Sequence, residues 1–382
     1  MNWYVKNNFK CRISIFSAEW LDKNDFRNKV FDILDKAFEN TTNYPLYILI
    51  PSNMQFIKDE KATAAVQKYI NLFKEKYNIP ICISASIDGK YCDNFRTSAD
   101  DIFYTNLFTF LENNKFYCHP MVSSSNIKYW IDNYTWFRET APFDIGQRLM
   151  MLEVRDETWN DTNINEFLTF LEFVINYQFN NDFHKNKKEF LRYILCLPNK
   201  IVKNYPNYLN IGLGPCDDFV KNSNTINCNV ANWSLNIRLG DFSLIPCHRQ
   251  SYEELILGQY QLNEDNEIID FQVKNIELMI AYDHLKHDCF PHCESCKYIG
   301  CCIGFCLGNS YENYKNPFIP VKEVCKLYKS KIKFLIYTYD QMGLFDYLDE
   351  IQDISLDFKK YLTDLILDTR MEMEQKIHES IE

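Results

Sequence analysis

Nowhere in this 382-residue chain do about eighteen apolar residues run without interruption, so no membrane-spanning helix is expected. The stretch from Met1 to Arg12 is polar and lacks the apolar core of a secretory signal, and a cytoplasmic location is expected. Glycine is scarce at 10 residues, and 46% hydrophobic against 24% charged residues is an ordinary globular balance. Collagen-like, low-complexity and wholly disordered classes therefore drop out. There is no block of Lys or Arg, and 41 basic against 52 acidic residues leave a formal charge of −11. A protein that grips a nucleic-acid backbone needs the opposite sign, so neither nucleic acid nor membrane is an expected partner.

What the chain has in excess is cysteine, 15 in all. A reducing compartment does not sustain a disulfide framework. Six of the thiols, Cys289, Cys293, Cys296, Cys301, Cys302 and Cys306, fall within eighteen residues, a density that points to metal.

The first two hundred or so residues alternate short apolar runs with helix-period segments. Strands are expected at Arg12 to Phe16, Leu46 to Ile50, Ile81 to Ile87, Phe116 to Val122 and Met150 to Val154, whose starts lie about 35 residues apart, the length of a βα unit. Phe26, Val30, Ile33, Leu34 and Ala37 share a helical face, as do Ala62, Val66, Tyr69, Ile70 and Phe73. Strand–helix alternation without hairpin turns predicts a parallel sheet, open or barrel-like. From about Tyr205 the runs shorten and Asn, Gly, Pro and Cys rise, which marks a second domain built around the cysteines. After Val321 the chain returns to helix, and Phe345 to Ile381 reads as an amphipathic helix packing on the body.

The densest cysteine region has the spacing CX2CX5CX3C over Cys293, Cys296, Cys302 and Cys306, followed by Cys325. Two thiols two residues apart can turn back onto one metal, in zinc and iron–sulfur sites alike. With Cys216, Cys228 and Cys247 upstream there are eight thiolates, enough for two sets of four. Spacing by itself leaves zinc and iron–sulfur both open, because each uses Cys₄.

That CX2CX5CX3C run with its distant Cys resembles the SPASM domain, the C-terminal extension of many radical S-adenosylmethionine enzymes, which holds two auxiliary [4Fe-4S] clusters. The resemblance implies that Cys293, Cys296, Cys302 and Cys325 hold an outer cluster, while Cys306 crosses back to join Cys216, Cys228 and Cys247 on an inner one. The family has a Gly five residues before the cysteine matched by Cys247, whereas Gly240 sits seven before it. Cys289 and Cys301 are left over as cluster-shell or buried thiols, with Cys301 able to replace Cys302. Cys11, Cys82, Cys92, Cys118 and Cys196 lie singly and read as core thiols.

The βα region is similar to a radical S-adenosylmethionine partial barrel of the peptide-maturase branch, and within it to maturases of short cysteine-repeat precursor peptides. The matching segments are Ile50-Pro-Ser-Asn53 with Phe56-Ile57, Ser84-Ala-Ser-Ile-Asp-Gly89, His119-Pro-Met-Val122 with Trp130-Ile-Asp-Asn133, and Met151-Leu-Glu-Val-Arg155. Two family pieces are missing. No CX3CX2C occurs before residue 200, and the Gly-Gly-Glu-Pro run that contacts the cofactor's methionine amine aligns with Ser17-Ala18-Glu19-Trp20. Reductive cleavage of S-adenosylmethionine needs three thiolates and an open iron, so this chain is expected not to perform it alone. If Arg12 to Phe16 matches the family's second strand, the first unit is truncated, supplied by another chain, or lost in a degenerate relative.

The expected fold is thus α/β: a partial (β/α) barrel missing its first unit over residues 1–204, a small cysteine-rich α+β SPASM-like domain over 205–340, and a C-terminal helical tail over 341–382. Glu19, Ser84, Ser86 and Asp88 are the candidate cofactor-binding residues, the last three at a strand's C-terminal end, where such folds place their sites; Asp88-Gly89 reads equally as a turn. His119 reads as a hydrogen-bonded structural residue, and Glu153 with Arg155 as a buried pair. His248, beside Cys247, is the candidate catalytic base, and Arg249 a partner for an anionic cluster. Trp130, Trp136, Trp159 and Trp233 read first as core. Three functions stay open: a radical S-adenosylmethionine/SPASM-like protein of peptide maturation with two [4Fe-4S] clusters and an incomplete barrel, a non-catalytic partner that binds a precursor peptide or a complete maturase chain, and a zinc-stapled structural protein.

Overall fold

In the computed structural model, which describes residues 13–15, 19–39, 44–92, 99–141, 159–195, 211–213, 236–238, 240–264, 268–283, 290–302, 305–352 and 354–381, the βα alternation forms a parallel sheet. Its strands are β1 (Ile13–Ser14), β2 (Ile48–Ser52), β3 (Ile81–Ala85) and β4 (Tyr117–Cys118), in the order β1-β2-β3-β4. All four lie within the expected segments or overlap them; the expected fifth, Met150 to Val154, lies outside the described residues. β4 stops at Cys118, and Pro120 two residues on has no N–H to give a ladder.

Between the strands run α1 (Asn24–Glu39), α2 (Glu60–Tyr77) and α3 (Asp101–Asn114), with α4 (Trp130–Thr140) after β4. Local chemistry sets their ends. Asp59 caps α2 by accepting from the amides of Lys61 and Ala62, and Asn78 closes it in the left-handed region at φ 55°. Asp100 caps α3 through the Phe103 amide at 2.7 Å. α2 buries the expected Ala62, Val66, Ile70 and Phe73, with Tyr77 added.

α1 does not bury the expected face. Arg27, Phe31 and Phe38 point inward, whereas Phe26 is 50% and Ile33 56% exposed. Aromatic partners on α2 decide the rotation: Phe31 stacks on Tyr69 with ring centroids 4.3 Å apart, and Phe38 meets Phe73 edge-on at 5.9 Å. Arg27 tolerates burial because its guanidinium donates to the Leu21 carbonyl at 2.7 Å.

The described residues up to 141 belong to one compact unit and those from 159 onward to a second. α5 (Asp161–Asn181) and α6 (Lys187–Ile194) belong to the second, ahead of the expected boundary at 204/205, because their apolar faces pack on C-terminal elements. α5 buries Phe167, Phe170, Leu171 and Val174 and contacts α10 (Lys322–Gln341). The second unit also holds an antiparallel sheet of β5 (Asn236–Arg238), β6 (Ser243–Ile245), β7 (Gly258–Leu262) and β8 (Ile268–Val273) in sequential order. α7 (Ile276–Asp283), α8 (Pro291–Glu294) and α9 (Leu307–Tyr314) follow, and Leu244, Leu257, Tyr282, Phe290 and Leu307 form a small core among these elements. The tail is helical as expected: α11 (Leu356–Ile381) buries Phe358, Leu362, Leu365 and Ile366 and packs on α10. Among the described residues no helix is long and apolar enough to cross a membrane.

Candidate metal centre

Four of the cysteines singled out by their spacing line one pocket. Cys293 sits in α8, whose first residue is Pro291, a position that suits proline's missing N–H and fixed φ. The chain then turns, with the Cys296 amide donating to the Cys293 carbonyl at 3.0 Å. A short 3₁₀ turn over Ile299–Cys301 delivers Cys302, and Cys325 comes from the first turn of α10, its amide bonded to the Val321 carbonyl at 2.9 Å. Cys293, Cys296, Cys302 and Cys325 share the pocket with Tyr298, Ile299, Phe305, Val324, Tyr328 and Ile332, so its wall is largely apolar apart from the thiols, His292 and Lys329.

Burial pushes the Cys293 thiol up to about 11, and the charges of Cys302, Cys325 and Cys296 push the same way. Burial also raises Cys325. Lys329, one helical turn beyond Cys325, opposes the rise at both thiols. Four thiolates in an apolar pocket repel one another, and a bound cation is what allows them to ionise together. By residue type the donor set suits a Cys₄ centre of either zinc or iron–sulfur type. Among the described residues no three His, Cys, Asp or Glu side chains stand close enough to grip a single ion, so the thiols line a space rather than meet at a point.

Cys301, the alternative to Cys302, does not line this pocket; it is buried against Tyr361.

The second set is partly in view. Cys247 lies in the turn after β6, and burial pushes its thiol up to about 11, with the charge of Cys306 adding to the rise. The two residues, far apart in sequence, are thus brought together. Cys306 stands at the N-cap of α9. Arg249 donates to Cys306 Sγ at 3.5 Å and is held by Glu312, to which its Nε donates at 3.1 Å. Cys216 and Cys228, the other two expected ligands, lie outside the described residues, as do Cys11, Cys196 and Cys289. His248 is exposed in the same turn as Cys247. Cys247 and Cys293 both pack against the small core around Leu244 and Phe290, so the two thiol sets flank one scaffold.

In the first unit the candidate cofactor residues gather at the C-terminal ends of the parallel strands. Glu19 accepts from Ser52 Oγ at 3.0 Å and from the Asn53 amide at 2.6 Å, just past β2. The Ser86 amide donates to the Ser52 carbonyl at 2.7 Å, and Ser84 Oγ lies 3.5 Å from His119 Nδ1. Asp88 is 3% exposed and accepts from the Met121 amide at 2.7 Å, while its own carbonyl accepts from Asn133 Nδ2 at 2.5 Å. Asp88 and Gly89 therefore form a junction that fixes the loop after β4 and the helix α4. Ser17, Ala18, Glu153 and Arg155 lie outside the described residues. Trp130 and Trp159 are buried as expected, and Trp136 is half-buried against Tyr104.

Lys329, which lines the pocket, and Tyr361, which packs against Cys301, had no place in the sequence reading. Lys329 was accessible to it, being four residues after Cys325 on an evident helix. Tyr361 was not, because its role depends on how the C-terminal helix docks. No family model matches the chain, and no curated protein is significantly similar to it.

Proposed function

We propose that this chain is a radical S-adenosylmethionine/SPASM-like metalloprotein of peptide maturation, with two auxiliary iron–sulfur sites and an incomplete or degenerate catalytic barrel. The observation that carries the reading is the convergence of Cys293, Cys296, Cys302 and Cys325 on one apolar pocket, with Cys247 and Cys306 paired nearby in the same unit. The first four would hold the outer cluster; Cys247 and Cys306, with Cys216 and Cys228, would hold the inner one. Bound there, such clusters supply one-electron transfer. The protein's own contribution is to exclude water with Tyr298, Phe305 and Tyr328, to gather the thiolates, and to balance their charge with Lys329 and Arg249.

At the strand ends of the first unit the candidate cofactor residues are engaged with the protein itself. Both oxygens of the Glu19 carboxylate already accept protein hydrogen bonds, and the Asp88 carboxylate is tied to the Met121 amide. No CX3CX2C occurs before residue 200. The alternative role is a non-catalytic partner that binds a precursor peptide or a complete maturase.

The test is S-adenosylmethionine cleavage. Reduced with dithionite, the isolated chain is expected to release no 5′-deoxyadenosine above background, since four thiolates per cluster leave no open iron. Release at a catalytic rate by the chain alone would overturn the reading. Release only after adding a second polypeptide that carries CX3CX2C would make the chain one half of a split enzyme.

A second reading, a zinc-stapled structural protein, draws on the same four thiols, because Cys₄ serves both metals.

A further inference from the structure

The loop between Cys296 and Cys302 is held by a residue from far along the chain. The Tyr361 hydroxyl, on α11, donates to the Lys297 carbonyl at 2.8 Å and accepts from the Gly300 amide at 3.2 Å. One oxygen thus serves two backbone groups of the five-residue loop, which its own short bonds, such as Ile299 N to Cys296 O at 3.0 Å, leave open to other shapes. The ring is seated as firmly as the hydroxyl. A Cβ on Gly300 would come within 2.5 Å of Tyr361 Cε1, so only glycine leaves room for it.

The neighbouring thiol completes the arrangement. Cys301 is 5% exposed and hydrogen-bonded to Tyr361, while Cys302, the next residue, lines the pocket with Cys293, Cys296 and Cys325. Adjacent residues leaving a 3₁₀ turn point in different directions, and a shift of one residue in this loop would exchange the two thiols. α11 is itself anchored where this matters. It packs on α10, the helix that carries Cys325, and its Glu372 pairs with both Lys297 of the loop and Lys333 of α10.

We propose that Tyr361 is a positioning residue that selects Cys302 over Cys301 as the third ligand in chain order, by pinning the loop backbone and occupying the Cys301 thiol. The inference rests on the reading of the pocket as a metal centre.

The experiment compares Cys301→Ser, Cys302→Ser, Tyr361→Phe and Gly300→Ala in the full chain, reconstituted with ferrous iron and sulfide and then challenged with a ferrous chelator. Cys301→Ser is expected to keep the wild-type iron content, and Cys302→Ser to lose one site. Tyr361→Phe, which keeps the ring, and Gly300→Ala, which displaces it, are each expected to weaken iron retention about 10–100-fold, the usual effect of removing a ligand's supporting partner. Equal iron loss in Cys301→Ser and Cys302→Ser would overturn the selection, as would a Tyr361→Phe protein that retains iron as the wild type does. The first comparison leaves Tyr361 untouched and so stands even if its variants fold poorly. A wild-type chain that takes up no iron would overturn the metal reading, and this inference with it.

Discussion

Replacing Cys293 or Cys296 by serine is expected to lower iron from about eight to about four per chain and to cost several kcal/mol of stability, because metal binding at such a site is folding free energy. For a unit of this size that is a fall in melting temperature on the order of 10 °C. The segment concerned has few other supports. α8 spans only Pro291–Glu294, the turn that follows is a 3₁₀ fragment, and Cys293 itself packs against the core of Leu244, Tyr282 and Phe290. Without a cation, burial and mutual repulsion keep the Cys293 thiol neutral, its ionisation pushed up to about 11. Cys82→Ala is the control: this half-buried thiol on β3 lies outside the pocket, and iron content should not change. Unchanged melting together with unchanged metal in the Cys293 variant would contradict the assignment.

Gly89→Ala should destabilise the first unit by about 3 kcal/mol or more, through strained backbone and a forced clash. Gly89 sits at φ +102°, a conformation that L side chains rarely adopt, and an added Cβ would meet Asn133 Oδ1 at 2.3 Å. Asn133 is fully buried and cannot simply swing away: its amide donates to the Asp88 carbonyl, and its Oδ1 accepts from the Tyr91 amide at 3.3 Å. Gly240→Ala provides the comparison, since nothing lies within 4 Å of a Cβ there. Chemical denaturation of both variants decides the matter; a Gly89→Ala cost below about 1 kcal/mol would show that the Asp88–Asn133 junction yields easily.

The parallel sheet was legible because its strands are short apolar runs such as Ile81-Cys-Ile-Ser-Ala85, separated by helices with caps at Asp59 and Asp100. The buried face of α1 was not. Apolar residues occupy two sides of that helix, and the stacking of Phe31 on Tyr69, a tertiary contact, chose between them. The antiparallel arrangement of β5 to β8 was equally hidden, since three-residue strands such as Ser243-Leu-Ile245 carry too short a pattern to reveal pairing. For the pocket, spacing marked the run Cys293, Cys296, Cys302 and Cys306 with Cys325 beyond it, and the resemblance singled out Cys293, Cys296, Cys302 and Cys325, the four that line it. Tyr361 was out of reach. It lies 64 residues from Lys297, and nothing local distinguishes it from any other aromatic on an amphipathic helix.

The direct measurement is metal and sulfide content. The chain, purified and reconstituted without oxygen and analysed for iron, acid-labile sulfide and zinc, is expected to carry about eight irons and about eight sulfides, two cubane clusters on eight thiolates. Stoichiometric zinc with negligible iron and sulfide would contradict it and leave the zinc-stapled structural protein in its place.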